Sequence, residues 1–133
     1  MIFLDANVIL RFIVDDNPTL SPKAKLIFES IDKGGHKVFI SPMAIFEVAF
    51  TLERTYKLSK SEIRQKFLPI IKLDNVTTDK KDIVERALDF YVDKNVSFAD
   101  AYQAALMLKK KVKKIYSFDP HFDRFSGIKR LEN

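Results

Sequence analysis

Cysteine is missing from the 133 residues, and with it go disulfide scaffolds, thiolate zinc sites, iron–sulfur sites and cysteine nucleophiles. Histidine occurs only as His36 and His121, without metal-ligand spacing between them, so a histidine-based zinc site is not expected. Three glycines and five prolines leave no collagen-like or low-complexity segment. No apolar run approaches the ~20 residues of a membrane-spanning helix. The opening Met1-Ile2-Phe3-Leu4-Asp5 has none of the marks of a signal peptide, so a cytoplasmic protein without membrane contact is expected.

What is present suits a buried core. Hydrophobic residues make up 47 %, including twelve Phe and four Tyr, and the length suits one domain over residues 1–133. Lysine and arginine number 23 against 18 acids, a net charge of +5. That surface attracts polyanions, but many basic proteins bind no nucleic acid. Charge alone decides little.

Short apolar segments alternate with amphipathic ones, with no repeat or linker. Residues 1–5 read as a buried strand, 7–14 as a helix, and Asp15-Asp16-Asn17-Pro18 as a turn. Ser21-Pro22 is a helix start that Gly34-Gly35 ends, and Ser41-Pro42 starts another running to about Tyr56. Ser59 and Glu62 form a capping box for a helix to Lys72, and Asp79 caps one to Lys94. Ser97 and Asp100 form a second box of this type, for a helix to Lys111. Strands are expected at 37–40, near Val76, at 114–118 and at 128–131. Strand and helix in alternation, with few hairpin signals, predict α/β with a mostly parallel sheet. In such sheets sites form at the carboxyl ends of the strands.

The acids stand in unexpected places. Asp5 ends an apolar run, and Glu47 interrupts Ala44-Ile45-Phe46-Glu47-Val48-Ala49-Phe50, a helix apolar nearly all round and so expected to be mostly buried. Asp100 lies at the start of an alanine-rich helix, and Asp119 follows Ile115-Tyr116-Ser117-Phe118. A buried, unpartnered carboxylate costs several kcal/mol. Local explanations exist for each acid. Asp5 suits a helix cap, Glu47 a pair with Arg11 or Arg54, Asp100 its own capping box, and Asp119 a turn before Pro120. None explains why two acids end strands while two others begin or interrupt helices.

In a parallel sheet Asp5 and Asp119 would face the crevice at its carboxyl edge, and Asp100 can open into it too. Converging carboxylates repel one another unless a cation or protons intervene. Oxygen donors select Mg²⁺ or Mn²⁺ over Zn²⁺, and such ions serve phosphate chemistry by polarising the phosphoryl group and activating water. A basic surface would draw a polyanionic substrate to that pocket.

Asp5-Ala6-Asn7-Val8-Ile9-Leu10, Ser41-Pro42 through Glu47, Phe98-Ala99-Asp100-Ala101 and Ser117-Phe118-Asp119 together resemble the PIN-domain nucleases, and more narrowly VapC-type toxins of toxin–antitoxin pairs. The likeness runs in order through nearly the whole chain. It implies a three-layer α/β/α sandwich around a mostly parallel sheet of about five strands. It implies that Asp5, Glu47, Asp100 and Asp119 bind Mg²⁺ or Mn²⁺ and carry catalysis, with Asn7 and Ser117 hydrogen-bonding the acids. The implied reaction is endonucleolytic RNA hydrolysis, and the implied partners are a small antitoxin protein and a second copy in a homodimer. One position departs from the family pattern: His121 stands where another acid is frequent. His121 and Asp123 are left outside the expected set. The run Lys109, Lys110, Lys111, Lys113 and Lys114 suits RNA phosphates, and equally suits a helix C-terminus.

Other classes fit less well. A Mg²⁺-binding receiver domain would use Asp15-Asp16 as its acidic opening, but needs an acceptor Asp near Tyr56-Lys57-Leu58, where none stands. An aspartyl phosphatase wants an acid at position 7, which is Asn7. A ribonuclease-H-like chain should follow its first strand with hairpins rather than a helix. A PIN-like RNA-processing or RNA-binding module without a toxin role is the remaining alternative.

Overall fold

Serine and asparagine side chains set most helix starts. The computed structural model describes residues 1–133 and divides into two compact units, Met1–Lys81 and Asp82–Asn133. The first unit runs β1 (Ile2–Phe3), α1 (Ala6–Val14), α2 (Leu20–Asp32), β2 (Val38–Phe39), α3 (Pro42–Arg54), α4 (Lys60–Ile71) and β3 (Val76–Thr77). Ser41 Oγ accepts from the Ala44 N–H at 3.1 Å, with Pro42 at the first helical position, as Ser41-Pro42 predicts. Ser59 Oγ accepts from the Glu62 N–H at 3.1 Å while Glu62 Oε1 accepts from the Ser59 N–H at 3.2 Å, closing the predicted box.

The second helix begins earlier than Ser21-Pro22 predicts. Asn17 Oδ1 takes the N–H groups of Thr19 and Leu20 at 3.0 and 2.8 Å, which moves the start to Leu20. Ser21 is instead buried, its hydroxyl donating to the Arg11 carbonyl at 2.7 Å and tying α2 to α1. Between them Asp15 adopts φ 53°, the left-handed cap that turns the chain after α1.

In this unit the sheet order is β1-β2-β3, all parallel, with Ile2 opposite Val38 and Val38 opposite Val76. α1 packs on α2 and α3, and α3 on α4. Ile9, Phe28, Ile31, Ile40, Ile45, Val48, Leu52, Ile63 and Phe67 are buried. Two expectations need correction. The first strand is not buried: β1 lies at the sheet edge with β2 as its one partner, Ile2 and Phe3 are exposed, and only Leu4 turns inward. Nor is α3 buried nearly all round. It packs through Ile45, Val48, Ala49 and Leu52, leaving Met43, Glu47 and Phe50 exposed.

The second unit holds α5 (Lys81–Asp93, entered from the first unit), α6 (Phe98–Lys110), β4 (Lys114–Tyr116), a 3₁₀ turn (Pro120–Arg124) and β5 (Lys129–Leu131). β4 and β5 pair in parallel, Ile115 opposite Arg130. Tyr91 meets Phe98 edge-on with ring centres 5.8 Å apart, and Phe90 meets Phe125 at 5.1 Å. The predicted α/β class with parallel strands holds. The single sheet of about five strands does not: the strands form a set of three and a set of two.

Candidate metal centre

Two turns of the second unit deliver the acids. Ser97, extended at φ −61° and ψ 155°, caps α6 by accepting the Asp100 N–H at 3.1 Å, which places the Asp100 carboxyl on the first helical turn. Asp119 follows β4, and Ser117 Oγ accepts its N–H at 3.0 Å. With Pro120 at the first position, the Asp119 carboxylate caps the 3₁₀ turn by accepting the His121 N–H at 2.9 Å. That tight turn folds the imidazole back, so that His121 Nδ1 lies 3.3 Å from Asp119 Oδ1. α6 packs on the turn, and Asp100, Asp119 and His121 each offer a ligand atom within 4.8 Å of the others.

The electrostatics follow from that closeness. Burial, then a hydrogen bond and repulsion from Asp119, hold the Asp100 carboxyl above the ordinary range, against a bond from Ser97 that favours its charged form. The His121 N–H, then the bond to Asp100, holds Asp119 below the ordinary range. The two carboxyls are thus driven in opposite directions, Asp100 toward its neutral form and Asp119 toward its charged form. A divalent cation between them would relieve the same repulsion. Two carboxylates and an imidazole within one small cluster are a donor set that fits such an ion.

Residues 2–128 match the family model of the PIN domain. This chain belongs to the PIN-domain family. A curated relative, the VapC ribonuclease of Aquifex aeolicus, is 24 % identical over 131 residues, covering 98 % of this chain and 96 % of its own. A solved structure, the sarcin–ricin-loop-cleaving toxin VapC20 of Mycobacterium tuberculosis, is similar at 22 % identity over 90 % of each chain, with a TM-score of 0.44. The PIN resemblance read from the sequence, with its VapC flavour, is thus matched by the family model and by a named relative.

In this PIN chain the six residues singled out by sequence fall in different settings. Asp100 and Asp119 meet, as described, and Ser117 orders the Asp119 backbone. Asp5 and Glu47 belong to the first unit. Asp5 caps α1, its Oδ1 accepting the Ala6 N–H at 2.9 Å, and Asn7 lies exposed on the first turn. Asp5 and Glu47 are exposed, so the expected burial cost does not apply to them. The arginines considered for Glu47 are engaged elsewhere, Arg11 beside Asp16 at 3.8 Å and Arg54 over the Phe50 ring at 5.5 Å.

Sequence reasoning passed over His121. A lone histidine carries no spacing signal, yet Asp119-Pro120-His121 does carry one. An aspartate cap followed by proline at the first position predicts a turn that brings the third residue back to the cap. Asp123, by contrast, is held by Arg130, whose Nε and Nη2 donate to its two oxygens at 3.2 Å each. Those bonds, with one to Glu132, raise the Arg130 pKa further. Of the basic run, Lys109 pairs with Asp82, while Lys110, Lys111, Lys113 and Lys114 stay exposed.

Proposed function

We propose that this PIN chain is an endoribonuclease dependent on Mg²⁺ or Mn²⁺, the toxin half of a toxin–antitoxin pair, with residues 1–133 as a single PIN-like nuclease domain. The observation that carries the reading is the Asp100–Asp119 pair, two carboxyls whose ligand atoms lie within 4.8 Å of each other and of an imidazole donor. Two acids placed so close at solvent-accessible turns gain nothing for stability at neutral pH, and they suit a cation. The order of the four acids in a chain of this family supports adding Asp5 and Glu47 to the set.

In this reading Asp5, Glu47, Asp100 and Asp119 are the catalytic and metal-holding carboxylates, with Asn7 and Ser117 orienting them. Ser117 fixes the backbone that carries Asp119, and Ser97 does the same for Asp100. Asp100 would hold an ion in its charged form, and the Ser97 hydroxyl favours that form. The chemistry a bound ion supplies is charge neutralisation at the scissile phosphate and activation of water as the nucleophile. Lys110, Lys111, Lys113 and Lys114 are free to follow the RNA backbone.

The similarity to a VapC ribonuclease supports RNA as the substrate and a small antitoxin protein as the partner. A homodimer in the cytoplasm completes the proposal; no helix is long and apolar enough to cross a membrane. The test is cleavage of an end-labelled, mixed-sequence single-stranded RNA by the parent and by Asp100→Asn, each with Mn²⁺, Mg²⁺ or EDTA. Cleavage by the parent alone, lost in EDTA, is expected. Equal cleavage by both proteins would remove Asp100 from the site.

A further inference from the structure

The imidazole changes the donor set. An aspartate, a glutamate or a water would leave the cluster around Asp100 and Asp119 with oxygen donors only, the kind that Mg²⁺ prefers. His121 adds a nitrogen, a softer donor that the divalent ions of the first transition row, Mn²⁺ among them, bind better than Mg²⁺ does. Its place is built rather than accidental. The Asp119 cap and Pro120 tighten the turn, and Phe122, buried at 3 % exposure, anchors it from the other side. Phe125, also buried, closes the turn by donating its N–H to the Phe122 carbonyl at 3.2 Å. With both flanks fixed, the His121 side chain is presented beside Asp119 while remaining open to solvent, as an exchangeable ion requires.

We infer that His121 is a ligand of the divalent ion, and that through it this chain selects Mn²⁺ over Mg²⁺. The inference rests on the metal-dependent reading above and adds to it one residue and one ion. It also gives a meaning to the departure at position 121. A neutral nitrogen replaces a charged oxygen, lowering the negative charge of the cluster and disfavouring the ion that depends most on charge and water. His121 touches the ion, so its effect is on which metal binds.

The measurement needs no turnover. Metal-free parent, His121→Asp and Asp100→Asn are titrated calorimetrically with MnCl₂ and with MgCl₂, and the Mn²⁺-loaded parent is examined by pulsed EPR for nitrogen-14 modulation. The parent should show that modulation, and His121→Asp should lose it. The preference for Mn²⁺ over Mg²⁺ should fall by about tenfold or more in His121→Asp. His36 is the one other histidine, so modulation that survives in His121→Asp overturns the assignment. Mn²⁺ bound by the parent and lost in Asp100→Asn, with no modulation and an unchanged ion preference in His121→Asp, also overturns it while leaving the metal-dependent reading intact. Failure of the parent to bind Mn²⁺ at all overturns both. If His121→Asp folds poorly, His36→Ala decides, since it leaves the cluster untouched: its modulation should persist, and loss of it overturns the assignment.

Discussion

Ser59-x-x-Glu62 and Ser97-x-x-Asp100 are the same device in the sequence and opposite devices in the structure. At α4 the loop is closed: hydroxyl to N–H in one direction, carboxylate to N–H in the other. The Ser59 N–H and hydroxyl hold Glu62 below the ordinary carboxyl range. At α6 the Ser97 hydroxyl takes the Asp100 N–H and bonds the acid as well, but that acid also faces Asp119, where burial and a second carboxyl push it up. One methylene separates the two acids, and the shorter side chain reaches back less readily. A box that closes on itself is scaffolding. One left open offers its acid to something else, and that is the local mark of a site.

The sharpest way to break the comparison is to neutralise each acid. Asp100→Asn should reduce RNA cleavage by about a hundredfold or more, the usual scale for losing a group that acts on the reacting centre. Glu62→Gln should leave cleavage within about twofold, since it serves only a helix end. The Asn amide can still donate to Asp119, so in metal-free buffer Asp100→Asn should melt no lower than the parent at neutral pH. Comparable losses from both substitutions would make the two boxes functionally alike and end the distinction.

Helix starts were legible because their causes are local. Ser41-Pro42, Ser59 and Ser97 each cap the helix that their spacing predicts, since a side chain reaches only two or three residues along. The same locality misled at Ser21-Pro22, where Asn17 reaches the N–H groups first and Ser21 serves a carbonyl ten residues back. Strand segments were found near their places, but their grouping into three and two depends on pairings that no periodicity encodes. Burial at Glu47 was misjudged because an apolar sequence all round a helix does not say which faces find partners, and Met43 and Phe50 find none inside. Of the site, Asp100 and Asp119 were legible as misplaced acids. His121 was not, because it reaches the pair through a turn rather than from a motif.

Loading the site with metal sharpens the contrast in a second way. Anything that binds the folded chain alone raises its stability, by about 2.7 kcal/mol when Mn²⁺ stands at a hundred times its dissociation constant. The parent and Glu62→Gln should gain that increment in a thermal melt, and Asp100→Asn should lose most of it. An equal gain in all three proteins would place the ion elsewhere.

Removing the serines tests the halves that the boxes share. Ser59→Ala and Ser97→Ala should each cost about 1 kcal/mol in denaturant unfolding, the ordinary loss for a cap. Their consequences then part. Ser97 also favours the charged form of Asp100, so its loss should make the acid harder to ionise and weaken Mn²⁺ binding near neutral pH. Ser59→Ala should bind Mn²⁺ as the parent does. Calorimetry on the two variants decides, and identical affinities would reduce Ser97 to a cap.

The smallest effect is the most diagnostic in sign. Asp100 has its folded pKa raised above the ordinary 3.8, so the folded chain keeps a proton that the unfolded chain releases. Its contribution to stability is complete below pH 3.8 and is lost as pH rises through the raised value. Glu62 has its folded pKa lowered from the ordinary 4.5, so its contribution is present above pH 4.5 and is lost as pH falls through the lowered value. Melting temperatures of the metal-free parent, Asp100→Asn and Glu62→Gln, taken across about pH 3 to 7, should therefore separate in opposite directions. The parent should lose ground to Asp100→Asn as pH rises, and gain ground on Glu62→Gln. Glu62 lies open to solvent, which screens its bonds, so its slope should be the shallower of the two. Slopes of the same sign would mean that Asp100 closes its box in solution as Glu62 does, and the open acid on which the site depends would be gone.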